Sequence, residues 1–235
     1  MLPLRINPAM GIGQTARMLL SRLTPKRLAR QLADTKVGRK AKPVLAYLHT
    51  AVLQIYTMNA RALTENGKAL LEKGQFKNAV RYFDKALKWD SRYALAWLVK
   101  GAALIELGLD DEAEKCIDEA EKLAPDDPNC WILKGVLLAK MKKQDLAVKC
   151  FDHALNLDPN NSTALEGKGH ALAVSGHKDK ATDCFDQAIK ADPHNPGPWR
   201  GKGVALKQLG RTDESNACFA EFDRLNRLGE NAPNN

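Results

Sequence analysis

The chain has 235 residues, 44% of them hydrophobic and 27% charged, the composition of an ordinary soluble globular protein. No apolar run approaches the roughly 20 residues that span a bilayer, which argues against an integral membrane protein. The net charge of +8 is unevenly placed: residues 1–59 hold ten Lys/Arg against Asp34 alone, and the remaining 26 basic and 27 acidic side chains nearly cancel.

The first 43 residues read as a basic arm. Pro3, Pro8, Gly11 and Gly13 predict poor order over residues 1–13. The fragment Gly11-Ile12-Gly13 is too short, and lacks a preceding strand, to cradle a phosphate. Ala16, Leu19, Leu20 and Leu23 then fall on one helical stripe. Thr24-Pro25 starts a second short helix carrying Leu28 and Leu32. Arg17 and Arg22 lie off the first stripe, Lys26, Arg27 and Arg30 surround Leu28 and Leu32, and beyond Lys36 a basic linker over residues 38–43 carries Arg39, Lys40 and Lys42. Four readings are open for the arm: an anionic membrane surface, nucleic-acid phosphates without stacking aromatics, an organelle-targeting peptide, or a cap folded back on the first repeat.

Residues 44–59 form a different segment, in which Val44, Leu45, Leu48, Ala51, Val52, Ile55 and Met58 predict a helix with a wide uncharged apolar face. It either runs straight into the next helix or bends near Thr57. Its expected task is to cover the flank of a repeat array, whose ends must be capped. A dimerisation helix, giving a homo-oligomer, is the alternative.

From there the chain repeats itself. Gly67, Gly101, Gly135, Gly169 and Gly203 are spaced 34 residues apart. Four residues before each stands a large apolar side chain (Leu63, Trp97, Trp131, Leu165, Trp199), and three after each a leucine (Leu70, Leu104, Leu138, Leu172, Leu206). Twelve after comes a small residue (Ala79, Ala113, Ala147, Ala181, Ser215), and sixteen after a large one (Phe83, Ile117, Phe151, Phe185, Phe219). Nineteen after stand Ala86, Ala120, Ala154 and Ala188, until Phe222 breaks the column. Proline recurs at Pro125, Pro159 and Pro193.

These columns resemble the tetratricopeptide (TPR) repeat. The resemblance covers residues 60–229 as five repeats, 60–93, 94–127, 128–161, 162–195 and 196–229, followed by a disordered tail over 230–235. It implies an all-α fold: a right-handed superhelical solenoid of five helix pairs, here with an N-terminal helical extension. The first helix of each repeat is expected to stop near Gly74, Gly108, Lys142, Gly176 or Gly210. In the last repeat, Ser215 and Phe222 are expected to mark an end with no neighbour to pack on.

In proteins of this family the concave face is built mainly from the first helices. Carried onto this sequence, that face would offer Leu98, Val99, Ala102 and Ile105 in repeat two, and Ile132, Leu133, Val136 and Ala139 in repeat three. Repeat four would add Glu166 and His170, and repeat five Arg200 and Lys207. Family members that clamp a C-terminal carboxylate present Lys and Asn at groove sites where this chain has Leu98, Ala102, Ile132 and Val136, which speaks against such a clamp. The expected partner is another protein's apolar peptide or amphipathic helix.

Lys100, Lys134, Lys168 and Lys202, each just before a column glycine, would either bind an acidic strip or lie stem-down with the ammonium in water. Repeat two is acidic enough to dock a basic partner or the arm, or to be plain solvated surface. The five cysteines (Cys116, Cys130, Cys150, Cys184, Cys218) lack zinc spacing, and four form a column too widely spaced for disulfides. They read as buried or half-buried thiols of a reducing, cytoplasmic setting, organelle targeting through the arm being the alternative. His49, His153, His170, His177 and His194 converge with no acid or cysteine at ligand spacing, and no nucleophile motif is present. The sequence therefore predicts a non-enzymatic interaction scaffold without cofactor or metal. A tether acting through the basic arm, or a regulatory subunit that works as an oligomer, are the other classes.

Overall fold

The computed structural model describes the backbone of residues 42–230 and the side chains of residues 56–228. The basic arm, the expected apolar face up to Ile55 and the residues beyond 230 lie outside the described part. Among the described residues all regular structure is helical, in ten helices. They are α1 (Lys42–Glu72), α2 (Phe76–Trp89), α3 (Ala94–Glu106), α4 (Asp110–Leu123), α5 (Pro128–Lys140), α6 (Gln144–Leu157), α7 (Ser162–Val174), α8 (Lys178–Ala191), α9 (Pro196–Gln208) and α10 (Thr212–Glu230). The chain divides into two compact units at Ala96/Trp97.

In the first unit α1 is one uninterrupted helix of 31 residues, so the apolar extension runs straight into repeat one with no bend at Thr57. Tyr56 is buried and its ring packs 5.0 Å from that of Trp89. Thr64, fully buried, donates from its hydroxyl to the Ala60 carbonyl at 2.8 Å, which satisfies a polar group that the core would otherwise penalise. Ala60, Ala86 and Ala96 close the core with Leu63, Leu87 and Tyr93. All three alanines are fully buried, and backbones approach closely there.

The turn inside each helix pair explains one of the sequence columns. Gly74, Gly108, Gly176 and Gly210 have φ of 68°, 73°, 87° and 79°, and Lys142, their counterpart in repeat three, has φ 62°. This left-handed residue lets the next amide reach back five residues: Gln75, Leu109, Lys143, His177 and Arg211 donate to the carbonyls of Leu70, Leu104, Leu138, Leu172 and Leu206 at 2.8–3.0 Å. The arrangement satisfies carbonyls that a helix end leaves open. Glycine adopts it freely, whereas Lys142 does so at a cost. First helices begin on side-chain caps: Asp127, Asn161 and Asn195 accept from the amides of Asn129, Ala164 and Gly197, with Pro128 and Pro196 at the first helical position.

In the second unit the glycine column is explained by the large residue sixteen positions on. A Cβ added at Gly135 would lie 2.9 Å from the Phe151 ring, at Gly169 2.8 Å from Phe185, at Gly203 3.1 Å from Phe219, and at Gly101 3.1 Å from Ile117. Gly67 meets Phe83 in the same way within the first unit. Each glycine therefore exists to let the second helix lay its largest side chain flat against the first. The alanine columns Ala113, Ala147, Ala181 and Ala120, Ala154, Ala188 are all fully buried around these contacts.

Ser215 departs from the expectation for a terminal repeat. It is buried and donates to the Gly203 carbonyl at 2.8 Å, so its polarity is satisfied inside its own repeat and owes nothing to a missing neighbour. All five cysteines are free and buried. Burial pushes the Cys130 thiol up to about 11 and raises those of Cys150, Cys184 and Cys218.

Candidate functional site

The first helices do not present all the side chains that the family pattern suggests. Leu98, Ile105 and Ile132 are buried. Leu98 packs with Ala120, Cys130, Trp97 and Leu133, and Ile132 with Ala147, Phe151 and Ala154. Val99, Ala102, Leu133 and Ala139 are half-buried, while Val136 stands 40% exposed. Further along the chain, on α7 and α9, Val174 is 72% and Val204 46% exposed.

A cleft of about 440 Å³ lies between α7 and α9, lined by His170, Ala173, Val174, Arg200, Gly201, Val204 and Gln208. One lining residue, Gly201, marks a change in the repeat. Two residues before the column glycine, α3 and α5 carry Val99 and Leu133, whereas α7 and α9 carry Gly167 and Gly201. The Leu133 side chain reaches over Gly101, where Ile117 is the smaller partner. Gly167 and Gly201 instead lie against the rings of Phe151 and Phe185, so close that an added Cβ would stand 2.5 and 2.6 Å away. The aromatic rings fill the interior from behind, and in front of Gly201 lies the cleft, with His170 beside it.

The sequence pattern places His170, Glu166, Arg200 and Lys207 at this end of the array. His170 and Arg200 line the cleft. His170 stands edge-on to Phe185, ring centroids 5.0 Å apart, with Nε2 3.6 Å from Glu166 Oε1. Glu166 turns toward the start of α9, where Asn195 Nδ2 donates to its Oε2 at 3.3 Å, and it packs on Gly197. The Arg200 guanidinium lies 6.0 Å over the Phe222 ring, which gives that broken alanine column a partner. Lys207 is exposed on α9, seven residues on from Arg200 and hence on its face. Val174, Val204 and Gln208 are lining residues that the sequence pattern did not single out. Val204 was available to it, being the period-34 counterpart of Val136 and His170.

The lysine column is not left in water. Lys134 Nζ contacts Asp118 at 3.1 Å and Glu121 at 3.0 Å, Lys168 reaches Asp152 at 2.7 Å, and Lys202 reaches Asp186 at 2.6 Å. Each rung joins a first helix to the second helix of the preceding repeat. Burial lowers the Lys134 pKa, and hydrogen bonds with Glu121 and Asp118 more than reverse this, so the net shift is upward. Lys100 lies 5.6 Å over the Trp97 ring. Part of the acidity of repeat two is thus committed internally: Asp118 and Glu121 hold Lys134, and Asp110 lies 3.8 Å from Lys140.

No group of three or more metal-ligating side chains occurs among the described residues. His153 stacks on Trp131 at 3.9 Å, and His177 precedes α8. No described helix is long and apolar enough to cross a membrane.

Comparison with solved structures shows the same fold at low identity. PilW, described as a widely conserved type IV pilus biogenesis factor, aligns with a TM-score of 0.65 at 21% identity, covering 72% of this chain and 78% of its own. MamA from Desulfovibrio magneticus RS-1 aligns at 0.57 and 20% identity, covering 72% and 96%. YrrB, described as a TPR protein with an unusual peptide-binding site, aligns at 0.51 and 20% identity, covering 75% and 91%. No curated protein matches the sequence. Three tetratricopeptide repeat family profiles match residues 70–137, 128–161 and 166–225. With the helix pairs, the left-handed turns and the glycine–phenylalanine contacts all recurring at the same interval, the chain belongs to the tetratricopeptide repeat family.

Proposed function

We propose that this protein is a non-catalytic interaction scaffold that holds a peptide or amphipathic helix of another protein along the first helices α5, α7 and α9. The observation that carries this reading is the open α7–α9 cleft, with Val174 and Val204 exposed on its walls. Large apolar side chains left in water beside a concave surface mark a place where a partner's side chain buries them. The likeness to YrrB, a TPR protein with a peptide-binding site, supports the choice of ligand class. The expected groove thus shifts toward the C-terminal half, because Leu98, Ile105 and Ile132 serve the core. Leu98→Glu would accordingly unfold the repeat rather than report on binding.

The test is affinity capture with the full-length protein as bait, washed at low and high salt, beside Val174→Glu and Val204→Glu. A partner retained at high salt by the wild type and lost by both variants supports the groove. A partner stripped by salt and indifferent to both valines would move the function to the basic arm, whose +9 charge suits an anionic surface.

A further inference from the structure

We infer that the α7–α9 cleft selects a partner segment in which an apolar side chain is flanked by a carboxylate. The inference rests on the reading of this cleft as a peptide site and adds the chemistry of the peptide. Gly201 and Ala173 let the partner approach closely, and Val174 and Val204 form apolar walls. These surfaces suit an aliphatic side chain.

Charge decides what flanks it. Lys202, also on α9, is held by Asp186, Arg211, just before α10, by Glu214, and Arg224 on α10 by Glu221. Arg200 and Lys207, which share one face of α9 beside the cleft, have no carboxylate partner among the described residues. Glu166 lies beside the cleft, its Oε1 3.6 Å from Nε2 of the lining His170. Its Oε2 accepts from Asn195, and it is not among the lining residues. Arg200 therefore lines the cleft against the Phe222 ring and without a described carboxylate partner, and Lys207 stands exposed on the same face of α9. A lysine or arginine of a partner would meet Arg200 unfavourably, whereas a carboxylate would accept from its planar fork. Gln208 supplies an amide able to bond the main chain of an extended segment.

The experiment is panning of a random dodecapeptide phage library on the full-length protein, with affinities of the selected peptides measured against variants by fluorescence anisotropy. The variants are Arg200→Gln, Arg200→Glu with Lys207→Glu, and Val174→Asp. All three positions are exposed, and circular dichroism confirms that each variant keeps its helix content. Selected peptides are expected to pair Leu, Ile, Val or Met with a neighbouring Asp or Glu. Their affinity should fall about threefold in Arg200→Gln and about tenfold or more in the double reversal, with the loss shrinking as salt is raised. Panning on the double reversal should return Lys or Arg at the flanking position. Peptides without acidic excess that still lose affinity in Val174→Asp would overturn the inference and leave the scaffold reading standing. Peptides indifferent to Val174→Asp, or no enrichment at all, would overturn both.

Discussion

Three interfaces inside the second unit solve the same packing problem in two opposite ways. Between repeats two and three, Ile117 from behind and Leu133 from the front meet at Gly101. Between repeats three and four, and again between four and five, a phenylalanine occupies the whole space and the front residue shrinks to Gly167 or Gly201. The packed volume comes from two facing aliphatic side chains in the first case and from one ring in the second, and the two are not equal, since Phe with Gly is smaller than Ile with Leu. The difference is visible at the surface: Leu133 covers the front at Gly101, whereas Gly201 borders the α7–α9 cleft. The lysine rungs differ in parallel: Lys134 holds two carboxylates, whereas Lys168 and Lys202 each hold one.

The largest expected effect tests the exchange directly. Gly167→Leu drives a side chain into the Phe151 ring and should cost about 3 kcal/mol of unfolding free energy in urea titration. Adding Phe151→Ile should recover much of it, because the pair then imitates Leu133 with Ile117. A double variant no more stable than Gly167→Leu alone would break the equivalence of the two solutions.

A smaller effect comes from repeat three, the one whose turn lacks glycine. Lys142→Gly removes the strain of φ 62° and should stabilise by about 1 kcal/mol, read as a rise in melting temperature. Gly176→Ala, its mirror in repeat four, should destabilise by a similar amount. The smallest effect separates the rungs: Lys134→Met should cost about 1 kcal/mol and Lys168→Met about 0.5 kcal/mol, both shrinking at high salt. Equal costs would show that the second carboxylate on Lys134 adds nothing.

Most of the fold was legible because a repeat reports each position five times. The left-handed turn at Lys142 is placed by its column although lysine gives no local sign of it, and the glycine and phenylalanine columns prove to be two sides of one contact. The candidate site was less legible for the same reason. The column rule treats Leu98, Ile132, Glu166 and Arg200 as equivalents, yet the first two are core and Arg200 lines a cleft, because exposure depends on what the neighbouring repeat contributes. The lysine rungs are invisible from the lysine column alone. Asp84, Asp118, Asp152 and Asp186 form a second, seventeen residues after each glycine, and only the packing shows which columns meet.

The rungs carry a consequence for how such a chain grows. A lysine of one repeat meets the aspartate sixteen residues earlier, and both recur every 34. Excising residues 128–161 would bring Lys168 into line with Asp118, and duplicating them would add one more matched pair. At the two ends, where a rung would have no mate, the sequence has Asn66 and Ala220 instead. Whole-unit gain or loss within the array therefore keeps the rungs matched, so unequal recombination can change its length at the expense only of contacts outside the columns, such as that of Asp110 with Lys140, whose place Val174 would take.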